Sequence, residues 1–178
     1  MSSQPSLFRR IWNAPLTFWL VLALPALPML SGFAAGEFKQ LLHPTGEFAA
    51  RFMILSMMLT PLMMLFPNIG AIRWLMKRRR HIGVAAFAYA LLHVAAYVLR
   101  EATLAKIVAE LAKPEILTGL AAFLLFVPLA VTSNDLSLRA LGPKWKSMQR
   151  MVYVAAVAVL VHWLLSSTGV GGLAVHVT

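Results

Sequence analysis

Long apolar runs separated by short charged segments make up most of the chain. Five runs, at residues 15–33, 47–66, 82–99, 116–132 and 151–167, are long enough to cross a hydrocarbon core of about 30 Å as helices. Most are near the short end of the spanning range, so they cross with little tilt or with snorkelling ends. The first run is too long for the core of a cleavable signal, and no small-residue cleavage site follows it. The pattern predicts an all-α fold: one polytopic membrane helical bundle over residues 1–178, with five transmembrane helices. Residues 100–113 carry Leu104, Ile107, Val108 and Leu111 on one face and charges opposite. They predict a short periplasmic amphipathic helix, stopped by Pro114. Pro25 and Pro28, Pro61 and Pro128 are expected to kink or loosen the first, second and fourth spans. Asn134 and Asp135 read as a helix cap and first turn, and Gly142-Pro143 as the end of that element.

Composition agrees with this reading. Of 178 residues, 60% are hydrophobic, 12% charged and none cysteine; a soluble domain carries about 25% charged residues. A soluble enzyme, a disordered tail and a disulfide-stapled domain are thereby excluded.

The net charge of +10 would suit nucleic acid, but its distribution says otherwise. Arg9, Arg10, Arg73, Lys77, Arg78, Arg79, Arg80, Arg139, Lys144, Lys146 and Arg150 fall on one side of the spans with a single acid, Asp135. On the other side Lys39, Arg51, Arg100, Lys106 and Lys113 meet Glu37, Glu47, Glu101, Glu110 and Glu115. Cytoplasmic loops carry the Lys/Arg excess. The N-terminus is therefore expected in the cytoplasm and the C-terminus in the periplasm, across a bacterial inner membrane. The partner implied by the basic charge is the lipid bilayer, not nucleic acid.

No nucleophile triad, phosphate loop or cysteine metal site is present, and Gly169-Val170-Gly171-Gly172 follows no strand. The ionisable residues deep inside the spans are His93 and His162, and such groups suggest a functional site. Each lies eleven residues beyond the start of an outward-running span, at Ile82 and Met151, so both sit roughly 16 Å above the inner end. Two imidazoles at one level on two helices are suited to clamping one iron from opposite sides. Ala86, Tyr89, Ala90, Ala96 and Tyr97 share a face with His93, and Ala155, Ala158 and Val159 share one with His162. Such small residues leave room for a flat macrocycle, and neutral imidazole is a good haem ligand. They also permit close helix packing, and a buried histidine also serves by bonding a neighbouring carbonyl.

The remaining candidates are weaker. His43 reads as an interfacial loop residue at the outer end of the second span, or as a cap on the outer site. His81, beside Arg78, Arg79 and Arg80, reads as an interfacial histidine or as the ligand of a second haem. His176 carries no signal, and the ten methionines read as apolar filler.

Several fragments together resemble the MsrQ family, haem-b membrane subunits of bacterial periplasmic methionine sulfoxide reductase systems within the ferric-reductase-like transmembrane domain family. They are His43-Pro44-Thr45-Gly46, Arg79-Arg80-His81-Ile82-Gly83, Leu91-Leu92-His93 with Tyr97, Ala130-Val131-Thr132-Ser133, Leu141-Gly142-Pro143-Lys144-Trp145, Met151-Val152-Tyr153 and His162-Trp163. The resemblance implies that His93 and His162 are axial ligands of haem b and its iron. It also implies a further histidine where this chain has Gln149, a weak candidate ligand at a depth similar to that of His81, so the expectation is one haem, or a second, labile one ligated only through His81. The family usually continues into a sixth span beyond these five. It further implies transfer of electrons from a cytoplasmic flavin reductase or quinol, with FMN or quinone as accessory cofactor, to a periplasmic molybdenum enzyme. Two other readings remain: an accessory or scaffold subunit with degraded haem sites, and an accessory cytochrome of a larger respiratory or photosynthetic membrane complex. No NAD(P)H or molybdenum motif is present, so the chain reads as an electron-transfer subunit rather than a self-contained enzyme.

Overall fold

The computed structural model describes residues 14–101 and 103–167; Arg9, Arg10, His176 and the 169–172 glycine stretch lie outside them. The described residues form ten helices in chain order and no strand. They are α1 (Pro15–Ala23), α2 (Ala26–Ala34), α3 (Phe38–Leu65), α4 (Gly70–Met76), α5 (Arg79–Glu101), α6 (Leu104–Glu110), α7 (Pro114–Val131), α8 (Asp135–Leu141), α9 (Pro143–Gln149) and α10 (Val152–Ser167). Helices α3, α5, α7 and the α9–α10 unit are long and apolar enough to cross a membrane, and α1 with α2 are so only as a pair bent by 53°, giving four spans or five among the described residues. Lipid-facing positions explain why Leu16, Leu30, Met64, Leu124, Val157 and Trp163 stand exposed: the solvent they meet is hydrocarbon.

The prolines act unequally. At the α1–α2 bend Pro25 lacks the N–H a continuous helix needs, and the Tyr89 hydroxyl donates to the Leu22 carbonyl at 3.0 Å across the break. By contrast α3 runs through Pro44 and Pro61, and α7 through Pro128, without interruption. The Thr45 hydroxyl donates to the Leu41 carbonyl at 2.6 Å and that of Thr132 to the Pro128 carbonyl at 2.5 Å, one turn back in each helix. The second span begins at Phe38, nine residues before the expected start at 47, and the His43-Pro44-Thr45-Gly46 motif is helical rather than loop.

Helix α3 packs against α5, and α7 against α10; these two pairs build the bundle. The centre holds Met53, Ala86, Phe126, Leu129 and Ala155 in one buried cluster. Ala86 and Ala155, read from the sequence as leaving room for a macrocycle, are packed together here. Tyr89 is buried in a second cluster with Met29, Leu41 and Ala96.

At the basic end of the bundle Arg80 pairs with Asp135 at 2.5 Å, tying α5 to α8. The Arg79 Nε donates to the Ser56 carbonyl at 2.8 Å. Asn134 caps α8 by accepting from the Ser137 N–H at 2.8 Å. Gly142, at φ +51°, ends that helix and starts α9, a conformation glycine adopts without steric cost. At the opposite end α6 is shorter than expected, and Pro114 opens α7 instead of closing α6. Its apolar residues Leu104 and Val108 are 80% and 64% exposed, as suits a helix lying on a membrane surface. The Tyr97 hydroxyl donates to Glu110 at 2.8 Å, and Glu110 pairs with Lys113 at 3.0 Å. Glu101 bonds Arg100 and Lys106. These contacts strap α6 to the end of α5.

Candidate cofactor site

His93 on α5 and His162 on α10 lie side by side, edge to face, with ring centres 6.2 Å apart and planes 77° apart. The depth match read from the sequence thus becomes direct proximity. Each ring is fixed in the same way. His93 Nδ1 lies 2.9 Å from the Leu42 carbonyl of α3, and His162 Nδ1 lies 2.6 Å from the Glu115 carbonyl of α7. A carbonyl only accepts, so Nδ1 carries the proton in each ring, and the neutral tautomer leaves Nε2 with its lone pair free. Metal-binding histidines are oriented by this kind of hydrogen bond at the other ring nitrogen. Thr45 Oγ1, fully buried, lies 3.3 Å from His93 Nδ1 and limits the swing of that ring.

Four residues after each accepting carbonyl stands a glycine. A Cβ on Gly46 would come within 3.0 Å of His93 Nδ1, and one on Gly119 within 2.8 Å of His162 Nδ1. Both imidazoles therefore lie in notches cut into the neighbouring helix. Gly46 belonged to a motif recognised in the sequence, but its purpose did not follow from it. Gly119 was missed, because only the pairing of α7 with α10 reveals what its missing side chain admits.

The donor set suits an iron held between two imidazoles. Metal–imidazole bonds are about 2 Å long, so two rings gripping one ion through opposed nitrogens have centres about 6 Å apart. The observed separation matches this. Among the described residues no group of three or more His, Cys, Asp or Glu is placed to hold a metal. His93 and His162 would thus fit as the protein's two ligands to an iron whose other donors come from a bound macrocycle.

The other candidates are not brought to this pair. The His43 side chain is 85% exposed and lies 3.9 Å from Glu47 on its own helix. His81 packs edge-on against Phe18 and Trp19 of α1, and its buried Nδ1 has no hydrogen-bond partner. Gln149 turns the other way, its amide donating to the Leu129 carbonyl at 3.1 Å and to Thr132 Oγ1 at 3.2 Å. It lines a cavity of about 620 Å³ at the basic end, and His81 does not. A shared site between His81 and Gln149 is therefore absent from this arrangement.

Comparison with known proteins gives concordant results. The family described as "Ferric reductase like transmembrane component" matches residues 45–160. The Rhizobium meliloti "Protein-methionine-sulfoxide reductase heme-binding subunit MsrQ" is 37% identical over 182 residues, covering 96% of this chain and 81% of that protein. Its namesakes in Brucella anthropi and Brucella ovis are each 35% identical over 159 residues, covering 83% of this chain and 70% of theirs. No solved structure is significantly similar to the chain.

Proposed function

The chain belongs to the ferric-reductase-like transmembrane family and to its MsrQ branch of haem-binding subunits, and from this we propose that it is a haem-b electron-transfer subunit with His93 and His162 as axial ligands. The two imidazoles, with ring centres 6.2 Å apart, carry this reading. Haem supplies a one-electron couple when bound. The residues supply the rest. Two imidazoles fill both axial positions, which suits electron transfer and leaves no open coordination position for substrate or oxygen. The carbonyls of Leu42 and Glu115 hold each ring in the Nδ1–H tautomer, and Gly46 and Gly119 set each ring's depth. The apolar helices keep water from the site.

The charge asymmetry supports an inner-membrane orientation with the Arg79 and Lys144 loops in the cytoplasm. His93 and His162 then lie toward the periplasmic face, within reach of an acceptor there. We assign that acceptor as the periplasmic molybdenum enzyme that repairs oxidised methionine. The donor is a cytoplasmic flavin reductase or a quinol, with FMN or quinone as an accessory. Gln149 favours the scaffold reading for the basic end alone, where an amide replaces the ligand expected from the resemblance. A reduced-minus-oxidised spectrum of the purified full chain, with haem counted per chain, tests the proposal. One low-spin haem b per chain is expected; a haem-free protein would refute it.

A further inference from the structure

The cavity of about 620 Å³ at the basic end takes no part in the His93–His162 site. Its lining changes character along its depth. Toward the core it is apolar, with Met53, Ala86, Phe87 and Phe126; toward the basic end it carries Lys77, Arg79, Arg80, Lys146 and Arg150. Arg80 is engaged by Asp135 and Arg79 by the Ser56 carbonyl. Lys77, Lys146 and Arg150 form no ion pair among the described residues. Thr60 lines the same space, and its buried hydroxyl has no hydrogen-bond partner.

An occupant of matching chemistry has an anionic head and an apolar body. A free phosphate lacks the body, and a neutral quinone lacks the charge. Haem held between membrane helices is ordinarily ligated by histidine, and no histidine lines the cavity, while the Gln149 amide is committed to Leu129 and Thr132. Basic pockets between membrane helices at the headgroup level suit anionic phospholipid. We propose that this cavity is a binding site for one anionic phospholipid of the adjoining leaflet. Lys77, Lys146 and Arg150 meet its phosphate, and the Phe87–Phe126 region receives the upper part of an acyl chain.

The test uses the full chain in detergent, exchanged into equal amounts of dioleoylphosphatidylglycerol and dioleoylphosphatidylcholine, with retained lipid counted by native mass spectrometry. One phosphatidylglycerol per chain is expected, favoured over phosphatidylcholine on the order of tenfold. The double substitution Lys146→Gln/Arg150→Gln should bring that preference near parity. Lys39→Gln/Arg51→Gln, at the opposite end, should leave it intact. Gly83→Leu fills the cavity from a position where a Cβ would meet nothing within 4 Å, and should expel the lipid without lowering the melting temperature. Parity in the unsubstituted chain, or a preference that survives Lys146→Gln/Arg150→Gln, would overturn the proposal. So would displacement of the bound lipid by millimolar inorganic phosphate, or a second haem held in its place.

Discussion

Gly119 and His162 approach so closely that a single methyl group on the glycine would stand 2.8 Å from the imidazole Nδ1. The same nitrogen donates to the Glu115 carbonyl, one helical turn earlier on α7. Ring position and tautomer are thus set by one short stretch of backbone. Gly119→Ala should push the ring off its carbonyl and lower haem affinity on the order of tenfold, as loss of an orienting partner does. Gly46→Ala, with a clearance of 3.0 Å, should do the same less strongly. Gly83→Ala, with open space around its Cβ, should leave haem content unchanged. Haem per chain after detergent dilution is the measurement.

Glu110 gives the α6 strap a pH dependence. Hydrogen bonds from Lys113 and from the Tyr97 hydroxyl hold its carboxyl below the ordinary value. A depressed folded-state pKa contributes stability above the unfolded carboxylate pKa, and that contribution is lost as pH falls through the folded value. Wild-type protein should lose part of its thermal stability on acidification below about pH 4. Glu110→Gln should be less stable at neutral pH and should lose less on acidification. Melting temperatures of both proteins across pH 3–7 check this; parallel curves would contradict it.

Gln149 faces the cavity at the basic end, and its amide nitrogen donates two hydrogen bonds that imidazole would reproduce only in part. Gln149→His should place a nitrogen ligand in that cavity and raise haem toward two per chain, measured by pyridine haemochrome. His81→Ala should not reverse the gain, because His81 packs against α1. A count that stays at one would show that the cavity does not admit a second macrocycle.

Orientation is open to chemical labelling because the chain has no native cysteine. A cysteine introduced at Lys144 should react with a membrane-impermeant maleimide only after the cells are permeabilised, and one at Lys39 should react in intact cells. The opposite pattern would invert the proposed electron path.

The depth match of His93 and His162 was legible in the sequence because helical rise is constant and both residues lie equally far along their spans. The capping role of Asn134 was legible too, since it depends on neighbours in sequence. Two kinds of feature were not. Helix α3 extends through Pro44 to Phe38 with Leu41 and Thr45 buried in the bundle, so tertiary burial overcomes a residue that ordinarily interrupts helices. Tyr89 shares a face with His93 by periodicity, yet it turns to the carbonyl exposed at the α1–α2 break. Which helix flanks which face decides such outcomes, and hydropathy does not encode it. Gly119 is the sharpest case, since its meaning lies wholly in a ring supplied from α10.

The central claim is that His93 and His162 together grip one haem iron. The measurement is the visible spectrum and haem content of four purified single variants: His93→Ala, His162→Ala, His43→Ala and His81→Ala. The first two should each lose the low-spin spectrum, through loss of haem or conversion to a five-coordinate form. The last two should keep it, because His43 is exposed and His81 packs on α1. An unchanged low-spin haem in either His93→Ala or His162→Ala would contradict the claim.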